Sequence, residues 1–186
     1  AVNQANVIVL AVPSQHIRAV ITKAKKHIDP SVIIINIAKG IENETLKIMS
    51  EVIFEVNGSI SNYVTISGPS HAEEVVSNMP TAVVAASKNI EASKVVQGLF
   101  STNKFRVYTN EDLIGVEICG SAKNVIAIAA GFCDGFGYGD NTKSALITRG
   151  IKEVARLGLK SGAKFETFFG LAGIGMVVGL LVFVWG

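Results

Sequence analysis

The stretch SVIIINIAKG, residues 31–40, decides the fold. From Val32 to Ile37 it is an almost unbroken β-branched run, closed by Lys39 and Gly40. A strand with one wet face alternates apolar and polar residues, whereas a continuous run needs cover on both faces, as in α/β sheets. Working outward, comparable runs stand at 6–12 (NVIVLAV), 63–67 (YVTIS), 81–86 (TAVVAA) and 105–109 (FRVYT). Segments of helical character fill the intervals, at 14–28, 42–56, 71–78 and 90–101. Strict alternation predicts βαβ units and a parallel sheet. The junctions A-V-P-S, A-K-G and S-G-P-S fall at the carboxyl ends of strands, where open α/β sheets bind ligands.

After Asn110 the pattern changes to long helical segments at about 111–132, 141–160 and 164–171, with no further strong strand. Asn110, followed by Glu111 and Asp112, reads as a helix start, with a capping side chain and acids in the first turn. The organisation expected is therefore an α/β part over 1–110 and an all-helical part over 111–186.

The chain has 186 residues, enough for one domain or two small ones. Hydrophobic residues make up 49% and charged residues 17%, a balance that excludes a disordered chain. A net charge of +2 without a dense Lys/Arg tract gives no nucleic-acid partner. Cys119 and Cys133 are too few for a disulfide framework or a zinc ribbon, which indicates a reducing, cytoplasmic setting and no metal. The start, AVNQANVIVLAVPSQ, has no basic n-region and reads as a chain entered in mid-domain. Residues 168–185 carry no charged side chain, are borderline in length for a membrane span, and include G-x-x-x-G at Gly175 and Gly179. Glycines inside the run and the lack of a basic flank weigh against an anchor.

The chemistry concentrates in GVEICGSAKNVIAIAAG, residues 115–131. On a helix, Glu117, Gly120, Lys123, Asn124, Ala127 and Gly131 fall along one stripe, and the other faces are apolar. A helix apolar on most sides is buried, so a small-polar stripe has to face something polar. Each interior glycine costs about 0.5–1 kcal/mol against alanine, which suggests a close backbone approach. Two readings stand. Either Lys123 and Asn124 point into a ligand site, or Lys123 reaches the surface and the glycines serve helix packing. In a site, Lys123 would polarise a carbonyl or exchange a proton, Asn124 would orient by hydrogen bonding, and Glu117 would be structural.

Elsewhere, SGPSHAEE (67–74) ends a strand and opens a helix. Ser70 and Glu73 fit a capping box, while the free amides of that turn suit an anion. Lys39 is either a solvated loop lysine or a ligand contact at a strand's carboxyl edge. GFGYGDN (135–141) follows no strand and reads as a loop between helices, not a dinucleotide fingerprint. Arg149, Lys152 and Arg156 share a solvated helix face.

Taken in order, AVPS, AKGIE, SGPSHAEE, PTAVVAAS, FRVYTNEDLIGVEICGSAKNVIAIAAG, GDNTKSALITRG and FFGLAGIG resemble the NAD(P)-dependent glycerol-3-phosphate dehydrogenases of bacterial type, over residues 1 to about 175. The resemblance implies the later part of a Rossmann-like parallel sheet followed by an incomplete all-helical substrate domain. It implies hydride transfer between NAD or NADP and dihydroxyacetone phosphate or sn-glycerol 3-phosphate in phospholipid synthesis. Lys123 would be the catalytic proton donor and acceptor, with Lys39, Gly68 and Ser70 at the substrate and Lys39 and Ala72 at the cofactor; the helix stripe adds Asn124 to the substrate contacts. A homodimer is compatible with it.

The sequence departs from the family in lacking the N-terminal G-x-G-x-x-[GA] turn and in carrying Met176 where an aspartate follows GLAGIG. The arginine and asparagine that hold substrate phosphate are also missing. Residues 176–186 are read as a change of reading frame or a fragment boundary, and turnover by this chain is expected to be impaired. The competing readings are another lysine-dependent dehydrogenase, of 3-hydroxyacid or 6-phosphogluconate type, and a tail-anchored interaction module.

Overall fold

The structure, a computed structural model, describes residues 2–58 and 61–179. Five strands form one sheet in the order β1 (Val7–Leu10), β2 (Ile33–Asn36), β3 (Tyr63–Ser67), β4 (Thr81–Ala86) and β5 (Phe105–Asn110). The unbroken apolar runs have a direct cause. Ile34 faces Ile17, Ile21 and Val52 on one side, while its neighbour Ile35 packs with Val64, Val83 and Val96 on the other. Successive residues point to opposite faces, so a sheet covered twice needs apolar residues at every position.

The pairings β1–β2, β2–β3 and β4–β5 are parallel, as alternation predicts. The pairing β3–β4 is antiparallel, with Thr65 opposite Ala86 and Ser67 opposite Val84. This corrects the all-parallel expectation within the Rossmann-like α/β sheet. A parallel return needs a crossover, usually a full helix. Between β3 and β4 the chain offers only the five-residue helix α3 (Ala72–Val76), which cannot span the sheet. Strand β4 therefore starts at the edge where β3 ends.

Helix α1 (Ile17–Ala24) is flanked by 3₁₀ turns, and α2 (Met49–Asn57) and α4 (Ile90–Phe100) complete the sheet's cover. The helix expected over 42–56 forms only from Met49. Leu46 takes a positive φ of 58°, and Ile41 bridges Ile48 across the intervening turn. Glu51 then accepts from the Ile48 amide at 3.0 Å at the helix start. Helices α5 (Leu113–Gly135) and α6 (Asp140–Lys160) are joined by the predicted loop and tied by Lys143–Asp134 at 2.8 Å. Beyond them lie a 3₁₀ turn (Phe165–Phe169), a π-helical turn (Leu171–Gly175) and helical residues 176–179. Of the apolar run 168–185, residues 180–185 lie outside the described residues.

The start of α5 differs in its cap. Asp112, not Asn110, is the N-cap, and its Oδ1 accepts from the Gly115 amide at 2.9 Å. Asn110 ends β5, and its Oδ1 accepts from the Asp112 amide at 2.8 Å. Asp112 Oδ2 also accepts from the Lys164 amide at 2.8 Å and from Thr167 Oγ1 at 2.6 Å. One buried carboxylate thus caps the helix and holds the segment after α6 against it.

Candidate active site

Helix α5 climbs past the sheet from the end of β5 to the carboxyl edge of β2 and β3. Its rise of about 1.5 Å per residue places Lys123 some 9 Å beyond Glu117. Glu117 is 6% exposed and accepts three bonds: Ser50 N at 3.1 Å, Ser50 Oγ at 2.6 Å and Tyr63 Oη at 2.6 Å. Burial pushes its carboxyl above the ordinary value, against the pull of the Ser50 and Tyr63 bonds. Glu117 pins α5 to α2 and β3, as its structural reading expects.

One turn further on, α5 meets the strand ends. A Cβ added at Gly120 would lie 2.9 Å from Ser67 Oγ and 3.5 Å from Lys39 Cγ, so a side chain here would have to displace the Ser67 hydroxyl, and a large one would not fit. Gly40 N donates to Ser121 Oγ at 3.1 Å, a second tie between the loop after β2 and the helix. Lys39 Nζ donates to the Gly68 carbonyl at 3.3 Å. Gly68 has φ +156°, and a Cβ there would lie 2.8 Å from Val83 Cα, so the S-G-P-S turn needs glycine at this position. A cavity of about 10 Å³, room for about one water molecule, is lined in part by Lys39, Ser67, Glu117 and Gly120.

Lys123 is half-buried, one turn beyond Gly120. Burial lowers its ammonium's pKa. Lys39 is pulled down to about 8, first by burial and then by the Lys123 charge nearby. Among the described residues neither lysine is ion-paired. Two cations near enough to act on each other, with no carboxylate paired to either among the described residues, suit an anion or a polarised carbonyl.

The structure brings together Lys39 and Gly68, with Ser70 beside them, its Oγ donating to the Gly68 carbonyl at 3.4 Å, and Lys123 lies near enough for its charge to act on Lys39. The Ser70–Glu73 capping box does not form. Helix α3 starts at Ala72 with His71 as N-cap, so Ser70 lies one residue too early. Ala72 is exposed at the start of α3, and Asn124 is exposed on α5. The expected stripe holds from Glu117 to Lys123 and then fails. Beyond the sheet edge nothing among the described residues lies within 4 Å of a Cβ at Gly131, and Val125, Ile128, Phe132 and Phe136 are exposed. The buried-helix expectation is therefore corrected to a first half buried on most sides and a second half buried only along the face of Ile126 and Ala130, against α6.

Sequence reasoning passed over Ser50, Tyr63, Ser67 and Ser121, and it read Met176 only as a departure from the family. Tyr63 and Glu117 carried a signal, since a tyrosine hydroxyl and a carboxylate in apolar segments both require partners. Met176 carried none for its placement: it is 1% exposed, and its Sδ accepts from Ser67 Oγ at 3.3 Å.

The fold and this pair of lysines define a Rossmann-like α/β protein whose sheet edge is capped by a lysine-bearing helix. Family models for the N-terminus and C-terminus of NAD-dependent glycerol-3-phosphate dehydrogenase match residues 1–93 and 112–179. The chain belongs to the NAD-dependent glycerol-3-phosphate dehydrogenase family. The C-terminal match runs to residue 179, past the point at which the sequence resemblance ends.

The chain is 54% identical over 180 residues to a glycerol-3-phosphate dehydrogenase [NAD(P)+] of Clostridium perfringens, covering 96% of this chain and 54% of that protein. It is likewise 54% identical over 176 residues to one of Carboxydothermus hydrogenoformans, covering 94% and 52%. The crystal structure of the Coxiella burnetii glycerol-3-phosphate dehydrogenase is similar with a TM-score of 0.88 at 44% identity, covering 93% of this chain and 53% of that one. The Saccharomyces cerevisiae enzyme gives 0.86 at 30%, covering 96% and 54%. The chain spans about half the length of the curated relatives it matches.

Proposed function

We propose that this chain carries the lysine-bearing half of a site that interconverts dihydroxyacetone phosphate and sn-glycerol 3-phosphate with NAD or NADP. The observation that supports it most is the meeting of Lys39, Gly68 and the Lys123 helix at the carboxyl edge of parallel strands, where α/β sheets bind ligands. This edge also fits a nicotinamide dinucleotide, because the turns after β2 and β3 present glycines with positive φ and a lysine whose charge has no carboxylate partner among the described residues. Lys39 and Ala72 would hold that cofactor, which supplies the hydride acceptor or donor when bound.

Lys123 holds a proton at the substrate's carbonyl or hydroxyl oxygen, and its depressed affinity for that proton eases the transfer in both directions. Lys39 places a second positive charge beside the substrate, and Ser70 and the Gly68 turn line its seat. Asn124 would orient the substrate by hydrogen bonding. The division at about residue 110, between a cofactor-binding part (1–110) and a substrate-binding, catalytic part (111–186), belongs to the same proposal. So do a cytoplasmic setting, a homodimer, and the absence of nucleic-acid and membrane partners.

The test is NADPH oxidation with dihydroxyacetone phosphate, by this chain and by its Lys123→Ala variant. Turnover is expected well below that of the Clostridium perfringens relative. Lys123→Ala should lower it further by about 10²–10⁴-fold, the usual contribution of general acid–base help. Turnover that Lys123→Ala leaves unchanged would overturn the role given to Lys123.

A further inference from the structure

The backbone on both sides of Lys39 is held by side chains. Before it, the buried Asn36 closes on Ala38: its Oδ1 accepts from the Ala38 amide at 3.1 Å, and its Nδ2 donates to the Ala38 carbonyl at 3.0 Å. After it, the Gly40 amide donates to Ser121 Oγ at 3.1 Å. That hydroxyl spends its own proton on the Glu117 carbonyl, at 2.8 Å, which leaves its lone pairs for the loop. A Cβ on Gly40 would run into Ser14 Oγ, so the turn after β1 closes on the same residue. The Lys39 stem then passes over Gly120, the residue just before Ser121, and Nζ donates to the Gly68 carbonyl at 3.3 Å.

We infer that Ser121 is a positioning residue: its hydroxyl fixes the Lys39–Gly40 peptide to α5 and so aims Lys39 at the strand edge beside Gly68. Helix α5 thereby sets both lysines, Lys123 by carrying it and Lys39 by holding the peptide that follows it. The helix itself gains nothing from a serine here. Serine is a poorer helix former than alanine, and its bond back to the carbonyl four residues earlier does not strengthen a helix. The contact with Gly40 is the role that remains for the hydroxyl, and alanine could not supply it. The part of Ser121 in ligand binding rests on Lys39 being a substrate contact, as proposed above.

The experiment compares the intact chain with Ser121→Ala, which removes the acceptor, and Ser121→Thr, which keeps it. Hydrogen exchange reads the Gly40 amide. Acetic anhydride near pH 9.5, where every lysine amine is partly free, reads access to Lys39 against the exposed Lys23, Lys26 and Lys160. In Ser121→Ala both rates should rise about two- to tenfold, the worth of one hydrogen bond, while the exposed lysines keep theirs. Ser121→Thr should behave as the wild type. The urea midpoint of Ser121→Ala should stay close to that of the wild type, since the better helix former offsets the lost bond. Calorimetry with dihydroxyacetone phosphate should show affinity lowered by a similar factor in Ser121→Ala. In a Lys39→Met background Ser121→Ala should lower it no further, a coupling that a merely structural serine would not show.

Acetylation of Lys39 at the wild-type rate in Ser121→Ala would overturn the inference. Equal losses of affinity with and without Lys39 would overturn the part of Ser121 in binding. Exchange and acetylation need neither substrate nor nucleotide. A chain that binds no dihydroxyacetone phosphate, yet exposes Lys39 in Ser121→Ala, would remove the substrate reading alone. A chain that binds it with equal affinity in wild type and Ser121→Ala would remove this inference alone.

Discussion

Replacing Glu117 tests how α5 is held. Its carboxylate takes the Ser50 amide, the Ser50 hydroxyl and the Tyr63 hydroxyl, all three buried. Glu117→Ala would leave three donors without a partner, each costing about 1–3 kcal/mol, tempered by whatever water enters the space. A loss of about 3–5 kcal/mol is expected, the range for removing one member of a buried polar cluster. That is a large share of a typical 5–15 kcal/mol, so the milder Tyr63→Phe, about 1.5–3 kcal/mol, accompanies it.

Urea unfolding should show a lower midpoint at unchanged slope for both variants, and the double variant should reveal coupling of at least about 0.5 kcal/mol. The pH dependence carries a sign. Burial raises the native Glu117 carboxyl above its unfolded value of about 4.5, so its contribution is full below that pH and falls as pH rises through the native value. Glu117→Gln cannot titrate, so wild type should lose ground to it as the pH is raised. A Glu117→Ala loss under about 0.5 kcal/mol would refute the anchoring role, and a wild type that gains on Glu117→Gln with rising pH would refute the dominance of burial.

Asp112→Ala removes the α5 cap and both ties to the 164–167 segment, and should cost about 2–4 kcal/mol. Hydrogen exchange at the Gly115 and Lys164 amides should rise together; unchanged exchange at Lys164 would refute the shared anchor. Gly120→Val would drive a branched side chain into Ser67 and Lys39, costing about 1–3 kcal/mol and cutting the affinity for dihydroxyacetone phosphate, as calorimetry can measure. For Gly120→Ala, the helix gain of about 0.5–1 kcal/mol offsets much of the contact. Full ligand affinity in the valine variant would show that this approach does not shape the site.

The five strands and most helices were legible because their signals are local. A β-branched run reports a doubly covered strand, and Lys39 and Gly68 stand at predicted strand ends. Where longer-range packing decided, the reading slipped. The direction of β4 depended on whether α3 could cross the sheet, and the cap of α5 on which acid also reached Lys164 and Thr167. The second half of α5 has the composition of a buried helix, yet it extends past the sheet that covers the first half.

By itself the sequence determined the α/β layering, the lysine-bearing helix and the family resemblance, since each rests on residue order and periodicity. Only the tertiary structure decided that Lys39 and Lys123, 84 positions apart, come near enough for one charge to act on the other. It also decided that Met176 bonds Ser67 from across the fold and that Glu117 is satisfied by Ser50 and Tyr63. The physical reason is that charge, desolvation and hydrogen bonding act over a few ångströms of space, and the chain's order does not encode those separations until the sheet, the helix and their glycine contact have formed.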